Sequence, residues 1–239
     1  MSVNATPPPF ETFFTARHPA PLQVQWRKSR TARRISLKID PRTASVVVVL
    51  PPRTSQARGR AFLAHHLGWA EARLASLAQI HPLADGATVQ LAGEPHTIRH
   101  APAARRGAWL EDAFLNVSGP PEHLARRVTD LLRREAQQRL GALARHHAAA
   151  AAVTPRRITL KDTRSRWGSC TAHGTLMFSW RLVMAPPAVQ DYVVVHEVAH
   201  LRHLNHGPLF WALVAELTPH RAMATAWLTT HGPELHRVG

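Results

Sequence analysis

The chain has 239 residues, 45% of them hydrophobic, with a single cysteine and 30 Lys and Arg against 15 Asp and Glu, a formal net charge of +15. That length and apolar content can bury a substantial core as one large domain or two small ones, and the lone Cys170 excludes an internal disulfide and suits a reducing compartment. No basic start followed by an apolar run opens the sequence, and its longest apolar stretches, such as Val46 to Leu50, fall far short of a bilayer span, so a cytoplasmic protein without membrane association is expected.

The positive charge is nearly all arginine and is scattered, densest at Arg27, Lys28, Arg30, Arg33 and Arg34. A basic face attracts phosphate backbones and acidic partners alike. No nucleic-acid motif accompanies it and aromatics are only 6% of the chain, so a solvated surface is the default and nucleic-acid proximity an alternative.

In chain order, residues 1–21 are rich in Pro and Thr and are expected to be a flexible N-terminus. A β-rich accessory region with one helix follows over 22–120. Val24 and Trp26 alternate, Ile35, Leu37 and Ile39 alternate with polar partners, and Ser45 to Leu50 is a buried run joined to them by the Asp40–Thr43 turn. A single helix is expected from Ser55 to Gln79, with Leu63, Leu67, Ala70, Leu74 and Leu77 inward. Short strands come next, 88–91 with 96–100 about Ala92 and Gly93, and 109–110 with 114–117 about Glu111 and Asp112.

A long connecting helix is expected over 121–152, with Leu124, Val128, Leu131, Leu132 and Leu140 for packing and Arg126, Arg127, Arg133, Arg134 and Arg139 in solvent. The break at Val153–Pro155 opens a last region, 153–239, expected to be catalytic. In it Arg157–Lys161 and Leu176–Trp180 read as an antiparallel pair about His173 and Gly174. Helices follow over Val189–Leu204, Pro208–Leu217 and His220–His231, the last closing at Gly232. The fold class is α+β.

Within the 189–204 helix, His196, Glu197 and His200 form an H-E-x-x-H. Residues four apart on a helix lie about 40° from one another, so two imidazoles reach one metal while Glu197, about 100° round from His196, stays off the coordination line. His203 is two turns from His196, roughly 10 Å along the axis, too far to share the ion. The third ligand is then His206, at a corner where Asn205 can leave the helix in a left-handed conformation and Pro208 can start the next one. In a chain this rich in histidine the H-E-x-x-H pattern arises by chance roughly once in twenty sequences, and with the third histidine roughly once in several hundred. The ionisable stripe also lies on a helix rich in valine, where such groups need a partner. Glu216 is the runner-up third ligand. A cysteine-protease set from Cys170, a histidine and Asp191 is a cheap coincidence among 17 histidines, and a small buried thiol is the plainer reading.

Three stretches carry a resemblance: SRTARRISLKIDPRT near the start, DTRSRWGSC at 162–170, and DYVVVHEVAHLRHLNHGPLFW at 191–211. Together, over about residues 22 to 235, they resemble the YgjP-like family of zinc metallopeptidases, which is related to the SprT-like and WLM metalloproteases. The resemblance implies a zincin-like core, one Zn²⁺ held by His196, His200 and His206, and Glu197 as the catalytic acid/base. His203 and the Gly207–Phe210 stretch are local differences.

The expected reaction is metal-assisted hydrolysis of a peptide bond in a protein or peptide substrate. Tyr192, Arg164, Arg166 and His220 are candidate donors to the oxyanion, Arg164, Arg166, Trp167 and Tyr192 candidate substrate-binding residues, and the strand 176–180 a candidate edge for an extended peptide. The competing class is a zinc-bearing binding or nucleic-acid-associated protein with weak or non-peptide amide hydrolysis. Oligomeric state is not legible.

Overall fold

The computed structural model describes residues 11–13, 21–40, 43–75, 82–163 and 166–239. Its Cα positions divide the chain into two compact units, 1–79 and 80–239. Among the described residues no helix is long and apolar enough to cross a membrane.

The first unit is a four-stranded sheet backed by two helices. Strands β1 (Glu11–Phe13), β2 (Leu22–Lys28), β3 (Ser36–Asp40) and β4 (Ser45–Leu50) lie in the order β1-β2-β4-β3. β2 and β4 are parallel, and β3 and β4 form the expected antiparallel pair, although Pro41 and Arg42 of its turn lie outside the described residues. Leu22, Val24, Val46, Val48 and Leu50 point into one core with Leu63, Ala70 and Leu74, as period-two strands and a period-3.6 helix face require. Part of the stretch expected to be flexible is strand: β1 pairs with β2, and the Glu11 carboxylate accepts from Trp26 Nε1 at 2.6 Å and pairs with Arg60 at 2.8 Å. The single helix expected over 55–79 is two, α1 (Gln56–His65) and α2 (Leu67–Ala75). They part at His66, φ −111°, whose ring Nδ1 bonds the Phe62 carbonyl at 2.8 Å and closes the end of α1. Leu77 and Gln79 lie outside the described residues.

The second unit opens with β5 (Thr88–Leu91), β6 (Glu94–His100), β7 (Ala108–Glu111) and β8 (Phe114–Val117), in the order β5-β6-β8-β7. Ala92 and Gly93 both have positive φ, 54° and 83°, which gives the tight hairpin a twist matching its strands. Their amides donate to the Val183 and Met184 carbonyls at 2.8 and 3.0 Å. After a 3₁₀ turn at 121–123 comes α3 (Leu124–Ala150), which buries Leu124, Val128, Leu131, Leu132, Ala136, Leu140, Ala144 and Ala148 along one face. Its arginines take local partners: Arg139 pairs with Glu135 at 3.2 Å, Arg134 donates to the Ala108 carbonyl at 3.1 Å, and Arg127 donates to the Ser118 carbonyl.

The chain then forms β9 (Arg157–Lys161), β10 (Gly168–Cys170), β11 (Thr175–Ser179), a 3₁₀ turn at 180–184, and the helices α4 (Pro187–Ala199), α5 (Pro208–Leu217) and α6 (Arg221–Leu235). The break expected after residue 152 falls inside this unit, because one continuous core runs from Val89 and Leu115 through α3 to Val194, Phe210 and Val214. The antiparallel pairing expected for 157–161 and 176–180 is also replaced. β11 is central, parallel to β9 and antiparallel to β10, since the hairpin about Gly174 (φ 75°) joins β10 and β11 while β9 pairs with the other side of β11. The free edge beside α4 is therefore β10. α6 runs through Gly232 and Pro233 to Leu235 instead of closing at Gly232. There the missing side chain lets the helix close on Trp167, since a Cβ would stand 3.2 Å from the indole Cζ2.

Arg181, 1% exposed, ties this region together. It pairs with Asp162, donates twice to the Val238 carbonyl at 3.2 and 3.0 Å, and lies over Trp180 at 4.3 Å. Its loss would empty a buried site and take from the Val238 carbonyl the two hydrogen bonds it accepts there. Arg181→Ala is therefore expected to lower the unfolding free energy by ~3 kcal/mol, read from denaturant titration, and Arg181→Met with Asp162→Asn to cost less.

Candidate metal centre

α4 starts at Pro187, whose fixed φ suits a first turn, and buries Val189, Val193, Val194, Val195 and Val198. Asp191 anchors it from behind: His147 Nε2 of α3 lies 2.7 Å from one carboxylate oxygen and Thr218 Oγ1, just past α5, donates to the other at 2.6 Å. The helix is thereby held from two sides before it reaches its ionisable stripe. It ends sooner than expected, at Ala199, with His200 at its cap still in helical conformation, φ −67°. Asn205 does not adopt the left-handed conformation expected of it, and Gly207 is an extended N-cap, φ −76°; the reversal is made of turns in which the amides of Arg202 and His203 both donate to the Ala199 carbonyl. Pro208 opens α5 as expected.

These turns bring His206 back over α4. One ligand atom from each of His196, His200 and His206 can be chosen so that all lie within 4.8 Å of one another. The Nε2 atoms of His196 and His206 are 3.1 Å apart, close to the roughly 3.3 Å expected of two nitrogens on one tetrahedral zinc with bonds of about 2.05 Å. His200 Nδ1 lies 3.0 Å from the His203 carbonyl. A carbonyl only accepts, so Nδ1 carries the proton and Nε2 keeps its lone pair for an ion. His203 thus serves through its backbone. Burial lowers His196 to about 4, with His200, His206 and Arg221 adding to the effect, and burial lowers His200 as well. Uncharged imidazoles of this kind are the donor set that zinc takes.

The ring of Phe210, fully buried, lies beneath all three imidazoles, with centroids 5.0 Å from His196, 4.6 Å from His200 and 4.7 Å from His206. Trp211 stacks on His206 at 5.7 Å and 28°, and the Arg221 guanidinium lies over that indole, 3.5 Å from its ring centroid. His196 Nδ1 is buried with no hydrogen-bond partner among the described residues, so packing against Tyr192, Phe210 and Trp211 sets its orientation.

Glu197 turns the other way, towards β10. The residue is 7% exposed, and burial pushes its carboxyl up to about 7, the positive charge of Arg166 pulling partly back. Gly168 makes the space: a Cβ there would stand 2.5 Å from Glu197 Cγ and 2.7 Å from Oε1. Arg166, Trp167 and Tyr192 line a cavity beside Glu197 and His196, while Arg164 lies outside the described residues. Trp167 also packs, stacked on His236 at 4.3 Å. Glu216 is exposed and outside the histidine cluster. Cys170 is half-buried, and desolvation together with Glu197 pushes its thiol up to about 11, against any role as nucleophile. Asp191 is committed to His147 and Thr218. Phe210, Gly168 and Arg221 belong to the site by contacts across the fold that the spacing of the sequence does not signal.

A family model described as YgjP-like, metallopeptidase domain, matches residues 33–231. No curated protein matches the chain. A solved structure, the metallopeptidase zymogen of Pyrococcus abyssi abylysin, is similar at 16% identity and a TM-score of 0.35, over 38% of this chain and 92% of that one.

Two stability predictions follow from this packing. Gly168→Ala is expected to cost ~1–3 kcal/mol by overpacking, and Glu197→Ala in the same chain to recover most of it, as a double-mutant cycle by denaturant titration would read. His236 is lowered from about 6.5 to about 4, chiefly by burial and then by Arg181. It is neutral in the fold while the unfolded chain gains a proton below 6.5, so its contribution is full above that pH, falls between 6.5 and 4, and levels off below. His236→Phe keeps a ring on Trp167 and is expected to flatten this part of the loss between pH 7 and 4.5; an unchanged slope would contradict the assignment.

Proposed function

The chain belongs to the YgjP-like metallopeptidase family, and from that membership we propose that it is a zinc-dependent peptidase with a zincin-like core, His196, His200 and His206 as metal ligands and Glu197 as general base. The observation that carries the reading is the convergence of three imidazoles on one point, with a desolvated carboxylate next to them that is not directed at that point.

Zinc bound there would act as a Lewis acid on the scissile carbonyl and make a water acidic enough to be deprotonated near neutrality. Glu197 takes that proton on its carboxylate and returns it to the leaving amine, a role for which an affinity near the working pH is suited. Its burial is what raises that affinity, and the Gly168 contact keeps it on the β10 side. Phe210 fixes the three rings from below, and the indole of Trp211 holds the exposed His206. Tyr192, which lines the cavity, is the candidate donor to the developing oxyanion, and an extended peptide would pair with the edge strand β10. The competing reading, a zinc-bearing nucleic-acid-associated protein with weak or non-peptide amide hydrolysis, draws only on the net charge of +15. Residence in the cytoplasm suits the lone thiol and remains part of the proposal.

Purified protein is expected to hold one zinc per chain by elemental analysis. Glu197→Gln should retain zinc and lose at least a hundredfold in peptide turnover, while His206→Ala should lose zinc affinity in a chelator competition. Equal cleavage by wild type and Glu197→Gln would remove Glu197 from the mechanism.

A further inference from the structure

Arg166, Trp167, Tyr192 and Val193 enclose, with His196 and Glu197, a cavity of about 260 Å³. That is below the ~300–1,000 Å³ of sites built for whole small molecules, and suits one or two side chains of a peptide laid along β10. Its walls are aromatic and aliphatic. At its mouth is a cation: Arg166 is exposed, its carbonyl is held by Thr163 Oγ1 at 2.6 Å, and its guanidinium takes no ion-pair partner among the described residues. Among the described residues the one carboxylate lining the cavity is that of Glu197, which is packed against Gly168 and on which the charge of Arg166 acts, though not as an ion pair.

A second guanidinium stands on the opposite flank. Arg221, the first residue of α6, lies 3.5 Å over Trp211, whose indole is stacked on His206. It too is exposed and takes no ion-pair partner among the described residues. A peptide crossing from the β10 side to the His206 side therefore meets an arginine on each side of the reacting carbonyl. Its carboxylates would be drawn to both, and its lysines repelled by both. The surplus of 30 basic over 15 acidic residues favours the encounter of acidic chains in the same sense.

We propose that the peptidase selects substrates carrying Asp or Glu beside the scissile bond, with Arg166 receiving one carboxylate in the cavity next to Glu197 and Arg221 receiving another on the His206 flank. This specificity rests on the peptidase reading given above. Trp167 and Tyr192 hold the aliphatic part of the bound side chain, and the guanidinium pairs with its end.

The test uses the zinc-loaded full chain and quenched fluorescent peptides of one backbone, with Glu, Gln or Lys on either side of the bond. Cleavage sites are mapped by mass spectrometry. At low ionic strength Glu is expected to exceed Lys roughly tenfold in kcat/KM, the range open to exposed ion pairs that attract one substrate and repel the other, and to lose most of that lead in high salt. Arg166→Gln should flatten the preference on one side of the bond and Arg166→Glu reverse it; Arg221→Gln should act on the other side. Equal use of Glu and Lys by wild type, or an unaltered preference in Arg166→Glu, overturns the proposal. Should no peptide be cut, the peptidase reading fails by itself. Fluorescence anisotropy of the same peptides on Glu197→Gln protein then decides the cavity: tighter binding of Glu than Lys peptides, abolished by Arg166→Glu, supports the assignment, and equal binding overturns it.

Discussion

Three imidazoles resting on the one ring of Phe210 are the contact from which the site is built. Two of them come from α4 and one from the turn after it, so their meeting point is fixed only if the start of α5 is fixed against α4. Phe210 does this as a fully buried side chain, continuous with the core that Val194, Val198 and Val214 share. Pro208 sets the direction in which α5 leaves, and Trp211, one residue on from Phe210, reaches the outer face of His206. An imidazole that is itself exposed is thereby held by residues anchored in the interior.

The rest of the second unit serves to keep α4 still. α3 presents a long apolar face to it, while the His147–Asp191–Thr218 chain of hydrogen bonds links α3, α4 and the end of α5 on the side away from the imidazoles. A buried polar link of this kind stabilises little in net terms when satisfied, but leaving either partner alone is costly, so it specifies one arrangement. The β5–β8 sheet joins the same framework through backbone bonds from Ala92 and Gly93 to the turn before α4.

Legibility followed the range of the interactions. The clustering of His196 with His200 was readable because i, i+4 spacing on a helix is local geometry, and Pro208 marked the next helix, which begins just after His206. The buried faces of α3 and of β2 and β4 were readable from periodicity for the same reason. The left-handed exit assigned to Asn205 was not found, since a chain of turns bonded back to Ala199 makes the same reversal without it. The place of β10 could not be read either. A three-residue strand has no period of its own, and its pairing with β11 made the strand expected at an edge the centre of the sheet. Gly168, Phe210 and Arg221 owe their roles to contacts across the fold, which neither composition nor spacing encodes.

Within one helical turn, neighbours in sequence are given different chemistry by what they face. His196 and His200 look towards α5 and another imidazole, where burial keeps them uncharged. Glu197 looks towards β10, where the absence of a side chain at residue 168 leaves space for its carboxylate and the strand itself shields it from water. A bulkier residue at 168 would push the carboxylate out of that space, and a wider gap would admit water and return it to the ordinary acidity of a surface glutamate. The approach of Gly168 to a valine-rich helix is thus what sets the carboxylate of the motif apart from the imidazoles and raises its proton affinity, as the proposed role of a base requires.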